Sequence, residues 1–157
     1  MNEMIIRQYE PPDREQVVQL WNECGLLVPW NNPHKDTARK LAVQPELFLV
    51  ATGPGETPEE PDTRIIATVM AGYDGHRGWI NYLAVRPEWR GKGAGQGMME
   101  RAEDLLHRRG CPKINLQVRQ SNAEVIDFYR KMGYSVDTVV SMGKRLERDD
   151  VETSMDL

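Results

Sequence analysis

Residues 79–110 read WINYLAVRPEWRGKGAGQGMMERAEDLLHRRG, and this stretch decides the fold. Its first seven residues, 79–85, are mostly apolar or aromatic and predict a strand. After a glycine-rich loop, apolar residues recur at helical spacing and predict a helix over 94–109 that ends at Gly110. A second strand is predicted at 113–119. A connection of this length lets the two strands run parallel, which predicts an α/β fold.

The rest of the chain adds elements on both sides of this unit. Apolar runs predict three more strands, at residues 4–11, 46–52 and 64–73. Helical spacing and start signals predict three more helices, in residues 13–23, 32–43 and 121–133. Residues 135–146, SVDTVVSMGKRL, predict one or two closing strands. The order β-α-α-β-β-β-α-β-α-β-β indicates one mixed α/β domain with a mixed central sheet flanked by helices.

Local signals set several boundaries. Asn32 precedes Pro33 and is typical of an N-cap followed by the first helical residue. Asp74-Gly75 is typical of a hairpin turn, and the quartet from Ser121 to Glu124 resembles a capping box. We expect the domain to cover residues 1–146 and the acidic residues 147–157 to form a mobile tail.

Composition restricts the class of protein. The chain has 157 residues, enough for one domain, and its net charge of −4 gives no basic footprint for nucleic acid. No apolar run approaches the length of a membrane helix. Cys24 and Cys111 form no metal-binding or disulfide framework, and free thiols fit a reducing compartment. We therefore expect a cytoplasmic protein that needs no metal and binds neither nucleic acid nor membrane.

The glycine-rich loop, residues 90–95, carries the first chemical signal. It lies where a strand meets a helix, so unpaired backbone N–H groups and the positive end of the helix dipole favour an anion. Lys92 is followed by Gly93, whereas a nucleotide-hydrolase loop requires Ser or Thr at that position. The spacing of Gly91, Gly93 and Gly95 also differs from the dinucleotide-binding fingerprint.

Several motifs in order resemble the GCN5-related N-acetyltransferase (GNAT) family. Arg90, Gly93 and Gly95 match its phosphate loop, and the preceding segment, 83–87, reads LAVRP as in that family. Asn122 and the run YRKMGY at 129–134 match the family's next helix and its end. Segments 28–31 and 72–78 further resemble one group of small bacterial acetyltransferases. The resemblance implies the acyl-CoA N-acyltransferase fold and acetyl transfer from acetyl-CoA to a primary amine.

The resemblance also implies roles for individual residues. The backbone of Leu83, Ala84 and Val85 would pair with the pantetheine arm, Asn122 would touch that arm, and Tyr129 would face the departing sulfur. The loop that would bind the pyrophosphate consists of Arg90, Gly91, Lys92, Gly93, Ala94 and Gly95. Two of these residues also have a purely structural interpretation. Asn122 suits the start of any helix, and Tyr129 suits the hydrophobic core.

The amine-acceptor side is less well defined by the sequence. Many GNAT members carry a Glu on the strand before the phosphate loop, but residues 79–85 contain no acid, and Trp79 falls near the usual position. Strict alternation would place Trp79, Asn81, Leu83 and Val85 on one face. The nearest candidates for a base in sequence are Asp74, His76 and Glu88, although Asp74 also suits a turn and His76 a solvated loop.

The acceptor itself remains open between a small-molecule amine and a peptide N-terminus. Trp30 and Asn31 lie in the loop between the first two helices, which borders the acceptor site in this family; the alternative for Trp30 is a core cap. Because a strand carboxylate is missing, a non-catalytic acyl-CoA-binding or sensing module is a second interpretation. The oligomeric state, monomer or homodimer, is also left open.

Overall fold

A five-stranded mixed sheet with helices on both faces forms the body of the protein, as the sequence predicts. The computed structural model describes residues 4–54 and 64–149, so most of the connection between the strands predicted at 46–52 and 64–73 lies outside the described residues. The strands are β1 (Ile5–Gln8), β2 (Phe48–Gly53), β3 (Arg64–Tyr73), β4 (Gly78–Val85) and β5 (Ile114–Leu116). The helices are α1 (Arg14–Glu23), α2 (Pro33–Leu41), α3 (Ala94–Arg108) and α4 (Ala123–Lys131).

The strands follow one another across the sheet in the order β1-β2-β3-β4-β5. Neighbours are antiparallel except β4 and β5, which are parallel and connected through α3. The hairpin between β3 and β4 turns at Asp74, whose carboxylate accepts hydrogen bonds from the backbone N–H of His76 and Arg77 at 2.8 and 2.7 Å. The predicted crossover and the predicted hairpin are both confirmed.

Both faces of the central strands are buried, which explains why the first four residues of β2, from Phe48 to Ala51, are all apolar. Leu49 and Ala51 pack on the side of α3, whereas Phe48 and Val50 pack on the side of α1. The α3 side contains Met98, Met99, Ala102 and Leu106, and the α1 side contains Val17, Leu20 and Trp21. Strands that are covered on both faces lose the alternation of apolar and polar residues.

The helix starts follow the predicted caps with one difference. The Asn32 side chain accepts hydrogen bonds from the N–H groups of His34 and Lys35 at 2.9 and 3.2 Å, so it is the N-cap of α2. For α4 the N-cap is Asn122, not Ser121, because the Asn122 side chain accepts the hydrogen bond from Val125. Asn caps a helix as well as Ser does. Among the described residues, no helix is long and apolar enough to span a membrane.

The closing strands predicted for residues 135–146 are not formed. Described residues after α4 contain no helix or strand. Side chains hold the segment beside β5: Asp137 accepts hydrogen bonds from Lys113 and Asn115, each at 3.1 Å, and Gln117 donates to Ser141. A cleft of about 970 Å³ opens between the segment, β5 and α4. Alternating side chains predict a strand, but a strand also requires a partner for its backbone hydrogen bonds.

The C-terminal segment is anchored beyond the predicted start of the tail at Glu147. Asp149 is buried, with Oδ1 and Oδ2 accepting hydrogen bonds from the Arg39 guanidinium at 2.5 and 3.0 Å. Its Oδ2 also accepts a hydrogen bond from the backbone N–H of Asn32 at 3.1 Å. The polypeptide therefore returns to the start of α2, while residues 150–157 lie outside the described part of the chain.

In the variant Asp149→Asn, the free energy of unfolding should depend less on pH at acidic pH than it does in the wild type. The hydrogen bonds from Arg39 and the backbone N–H of Asn32 lower the pKa of Asp149 to about 2, whereas an unfolded aspartate has a pKa of about 3.9. On acidification the unfolded chain is protonated first, so this stabilisation is present above about pH 4 and is lost as the pH falls towards 2. Urea unfolding between pH 2.5 and 7 measures it.

A matched control for that experiment is Asp127→Asn, because Asp127 forms only an exposed ion pair with Lys131 within α4. This variant should keep the wild-type dependence of unfolding free energy on pH. An Asp149→Asn variant whose acid-side slope equals that of the wild type would contradict the assigned anchor.

Candidate active site

A gap opens in the sheet where β4 and β5 separate. The two strands pair only from Gly78 with Ile114 to Ile80 with Leu116. β5 ends at Leu116 rather than at the predicted residue 119, whereas β4 continues to Val85. Over residues 81–85, the edge of β4 that is remote from β3 therefore has no neighbouring strand among the described residues. Such an edge can accept an extended ligand as an added strand.

A β-bulge at Tyr82 lies at the start of this open edge. Asn81 pairs with Met70 and Ala84 with Thr68, so Tyr82 and Leu83 together lie opposite Val69. Tyr82 has a φ of 52°, a left-handed conformation that is uncommon for a residue with a side chain.

The bulge overturns the single face predicted for Trp79, Asn81, Leu83 and Val85. Leu83 and Val85 pack on the α3 side together with Ile80, whereas Tyr82 packs on the α1 side. One extra residue in a strand reverses the orientation of the side chains that follow it. Because side chains alternate along a strand, Trp79 and Asn81 lie on the face opposite Ile80. Tyr82 lies on that same face.

The glycine-rich loop joins this edge to α3, as predicted. Gly91 and Gly93 have φ values of 75° and 83°, which a residue without a Cβ adopts at little cost. A Cβ built on either glycine would have no atom within 4 Å, so the loop surface is open. Gly93 is the N-cap of α3, and the first N–H groups of this 15-residue helix lie at its open end. Ala94 is the first helical residue, and the exposed Lys92 lies over the Trp89 ring.

Two contacts connect the loop with the rest of the site. A Cβ on Gly95 would lie 3.3 Å from Phe128 and 3.6 Å from Val85, so this glycine lets α3, α4 and the end of β4 approach one another. Arg90 donates from Nε to the carbonyl of Val85 at 3.1 Å. The predicted loop residues and the end of β4 thus form one continuous surface.

Tyr129 lies in α4 and is 7% exposed. Its ring makes edge-on contacts with Phe128 and Tyr134, with centroid distances of 5.1 and 5.5 Å. Burial raises the pKa of Tyr129 to about 12, so its hydroxyl is a proton donor at neutral pH. Within the described residues no hydrogen bond to this hydroxyl is formed, in contrast to Tyr134, whose hydroxyl donates to Glu103 at 2.6 Å.

The predicted acceptor residues Trp30 and Asn31 lie in the loop before α2 and contact two other segments of the chain. Trp30 is 52% exposed, which argues against a core cap, and its ring centroid lies 5.9 Å from the guanidinium carbon of Arg119, beyond the end of β5. The Asn31 side chain accepts a hydrogen bond from Arg145 at 2.5 Å. The loop before α2, the loop after β5 and the C-terminal segment therefore meet here.

The sequence candidates for a base are placed elsewhere. Asp74 and His76 precede Gly78 and lie at the opposite end of β4 from the loop, about 16 Å from Leu83 by strand length alone. The N–H groups of Arg77 and His76 lower the pKa of Asp74, which makes its carboxylate a weaker base. Glu88 forms an ion pair with Arg64 of β3 at 3.1 Å. The structure brings Tyr129 and the loop together but leaves Asp74 and His76 apart from them.

Sequence reasoning missed a pair of polar residues beside the open edge of β4, Tyr82 and Asp36. The Tyr82 hydroxyl donates a hydrogen bond to Asp36 Oδ2 at 2.6 Å, although the two residues are 46 positions apart. The pair depends on the bulge that turns Tyr82 towards α2. No local spacing signals such a bulge, so nothing in the sequence pointed to the pair.

The comparisons with known proteins agree with this geometry. The sequence profile described as "Acetyltransferase (GNAT) family" matches residues 14–134. The chain belongs to the GNAT family. An acetyltransferase of Yersinia pestis (strain Pestoides F) is 46% identical over 143 residues, which cover 91% of this chain and 96% of that protein.

Solved structures show that the fold is the GNAT fold. Ard1 from Thermoplasma volcanium is similar with a TM-score of 0.71 and 24% identity, covering 87% of this chain and 85% of that one. A chain of the NatC complex bound to Gag peptide and CoA has a TM-score of 0.66 and 24% identity, with 83% of each chain covered. No group of three or more His, Cys, Asp or Glu side chains in the described part of this GNAT chain could hold a metal ion.

The variant Gly93→Val should weaken CoA binding about tenfold or more. A β-branched residue in a left-handed conformation costs about 1–2 kcal/mol, and relief of this strain would turn the N–H groups at the start of α3 away from the ligand. Calorimetric titration with CoA measures the affinity, and urea unfolding measures the stability. Gly143→Val is the matched control, because Gly143 has no positive φ and no atom near its Cβ position. Unchanged CoA affinity in Gly93→Val would refute the loop assignment.

Proposed function

We propose that this GNAT protein transfers the acetyl group of acetyl-CoA to the nitrogen of a primary amine, on a small molecule or at a peptide N-terminus. The observation that supports this most directly is the continuous surface from the open edge of β4 to the start of α3. Its strand edge suits the pantetheine arm, and its exposed N–H groups suit the pyrophosphate.

Acetyl-CoA fits the residues that line this surface. The backbone of Leu83 to Val85 would pair with the pantetheine arm, and the loop from Arg90 to Gly95 would bind the pyrophosphate. The open space around Gly91 and Gly93 leaves room for the phosphates. Asn122 caps α4 with its side-chain oxygen and retains its amide hydrogens for the arm.

The chemistry proposed for the site is direct transfer. The lone pair of a neutral amine forms the bond to the thioester carbonyl carbon as the carbon–sulfur bond breaks, and a backbone N–H near the end of β4 stabilises the oxyanion. The amine nitrogen loses a proton to water, and the departing sulfur gains one.

Tyr129 donates a hydrogen bond to that sulfur. A thiol has a pKa of about 8.5, far below the value of about 12 for Tyr129. Full proton transfer from the phenol is therefore uphill, and its contribution is a hydrogen bond to the developing thiolate. After the transfer water supplies the proton that the sulfur finally holds.

The proposed compartment is the cytoplasm, because the free thiols of Cys24 and Cys111 are consistent with a reducing environment. The likeness of residues 28–31 and 72–78 to small bacterial acetyltransferases supports membership in that group.

A second candidate function is a non-catalytic acyl-CoA-binding module, which the absence of a carboxylate from β4 favours.

The variant Tyr129→Phe should lower kcat by about 10² to 10³, the range for loss of one hydrogen-bond donor to a developing negative charge, while CoA affinity and Tm change little. The ring stays, so the packing against Phe128 and Tyr134 is kept. Steady-state kinetics and thermal unfolding give both readouts.

Tyr134→Phe is the matched control for this measurement. It removes a hydroxyl that is bonded to Glu103 and should cost roughly 1 kcal/mol of stability with nearly intact turnover. If Tyr129→Phe behaves like this control, with kcat within a few fold of the wild type, Tyr129 is a structural residue.

A panel of amines tests the function itself. Thiol release from acetyl-CoA is followed with ethanolamine, tyramine, spermidine, glucosamine and hexapeptides that begin with Ala, Ser or Met. We expect turnover with at least one acceptor and none without an acceptor. CoA binding by calorimetry without turnover of any amine would instead support the binding-module alternative.

A further inference from the structure

Tyr82 is held firmly in its unusual conformation. Its ring stacks on Trp21 with a centroid distance of 3.8 Å and an interplanar angle of 13°. Its carbonyl accepts a hydrogen bond from the Thr68 hydroxyl at 2.8 Å, and that hydroxyl accepts one from the Trp21 indole at 2.9 Å. Left-handed residues with side chains persist where their surroundings over-determine them, and they concentrate at functional sites.

The hydroxyl of Tyr82 is hydrogen-bonded to a carboxylate that has further acceptor positions. It donates to Asp36 Oδ2 at 2.6 Å, the length of a charge-assisted hydrogen bond. The other oxygen, Oδ1, accepts from Arg39 at 3.2 Å. A carboxylate offers about four acceptor positions, and the Asp36 side chain is 24% exposed. Further donors can therefore reach it.

The surrounding charges leave Asp36 available for a cation. Arg39 bonds Asp149 through both of its terminal nitrogens, at 3.0 and 2.5 Å, so its guanidinium is mainly committed to that partner. Asp149 also lies 3.9 Å from Arg145. Burial and the neighbouring Asp36 raise the pKa of Tyr82, which keeps its hydroxyl a donor at neutral pH.

The pair lies where an acceptor would meet the thioester. Tyr82 is the residue immediately before the edge at Leu83 to Val85, and it faces the side of the sheet opposite α3 and α4. Trp30 and Asn31 lie in the loop that leads into α2, the helix that carries Asp36. An amine bound to Asp36 would lie beside the bulge, because the Tyr82 hydroxyl is hydrogen-bonded to this carboxylate.

We propose that the Asp36 carboxylate binds the protonated amine of the acceptor next to the bulge, and that Tyr82 is the positioning residue that orients Asp36. This inference rests on the proposed acetyltransferase function and specifies its substrate class. The acceptor is a primary amine that arrives as a cation, and the site selects it over uncharged nucleophiles. The bound cation then loses its proton to water before the nitrogen attacks.

Kinetics with a charged and an uncharged acceptor test the proposal. The charged acceptor is the panel amine with the highest kcat/KM, and the uncharged one is hydroxylamine, which carries no charge at neutral pH. Asp36→Asn keeps an acceptor for the Tyr82 hydroxyl but removes the charge. We expect KM for the charged amine to rise about tenfold to hundredfold. KM for hydroxylamine and the affinity for CoA should change less than about threefold.

Two further variants complete the experiment. Tyr82→Phe keeps the stacking on Trp21 and should raise KM for the charged amine by about threefold to tenfold, because Asp36 keeps its charge but loses its orientation. Asp127→Asn removes a surface carboxylate that is paired with Lys131 and should leave both KM values unchanged.

The outcomes separate this inference from the function on which it rests. An equal change in KM for the two acceptors in Asp36→Asn, or no change at all, overturns the role of Asp36 even if the wild type turns over amines. If Asp36→Asn does not fold, the changes in KM for the two acceptors are compared in Tyr82→Phe instead. Equal changes there, or no change, overturn the role of Asp36. If the wild type turns over no amine of the panel, the proposed function fails and the substrate site fails with it.

Discussion

The left-handed backbone of Tyr82 is the constraint on which the rest of the site depends. It places one extra residue in β4 opposite Val69, next to the point where β5 ends its pairing with β4. The strand edge that follows is open, and its Leu83 and Val85 side chains are turned towards α3 rather than towards α1. The stacking on Trp21 and the hydrogen bond from Thr68 hold this conformation in place, so the open edge is a stable part of the fold.

The second requirement is the close approach of α3 and α4 at the start of α3. Gly95 permits it, because any Cβ there would press on Phe128 at 3.3 Å. The approach brings the helix that begins with unpaired N–H groups next to the helix that carries Tyr129. The proposed anion site and the buried Tyr129 hydroxyl thereby lie on one side of the sheet, and the amine is expected from the other. This division matches a transfer in which the acyl donor and the acceptor arrive from opposite faces.

The C-terminal segment contributes to the proposed acceptor side through charge rather than through strand pairing. Asp149 binds Arg39 on α2, and Arg145 binds Asn31 in the loop before it. These contacts fix α2 and its loop relative to the sheet, and α2 carries Asp36. In this way a part of the chain more than 100 residues away helps to orient the carboxylate that we assign to the acceptor. The same segment also forms one wall of the cleft beside β5, and Tyr129 lies in the lining of that cleft.

The sequence by itself determined the mixed α/β class, the elements up to α4, the cap at Asn32 and the turn at Asp74, because periodicity, caps and turn residues act within a few positions. Family motifs likewise led to the proposal that Arg90 to Gly95 and Tyr129 are site residues. Only the tertiary structure decided the bulge, the pairing of Tyr82 with Asp36 and the anchoring of Asp149, since each depends on partners dozens of residues apart. The same reason explains the error at 135–146, where the alternation is local but a strand needs a neighbour. Asp74 and His76 are close to the site in sequence, yet the length of an extended strand separates them from it in space.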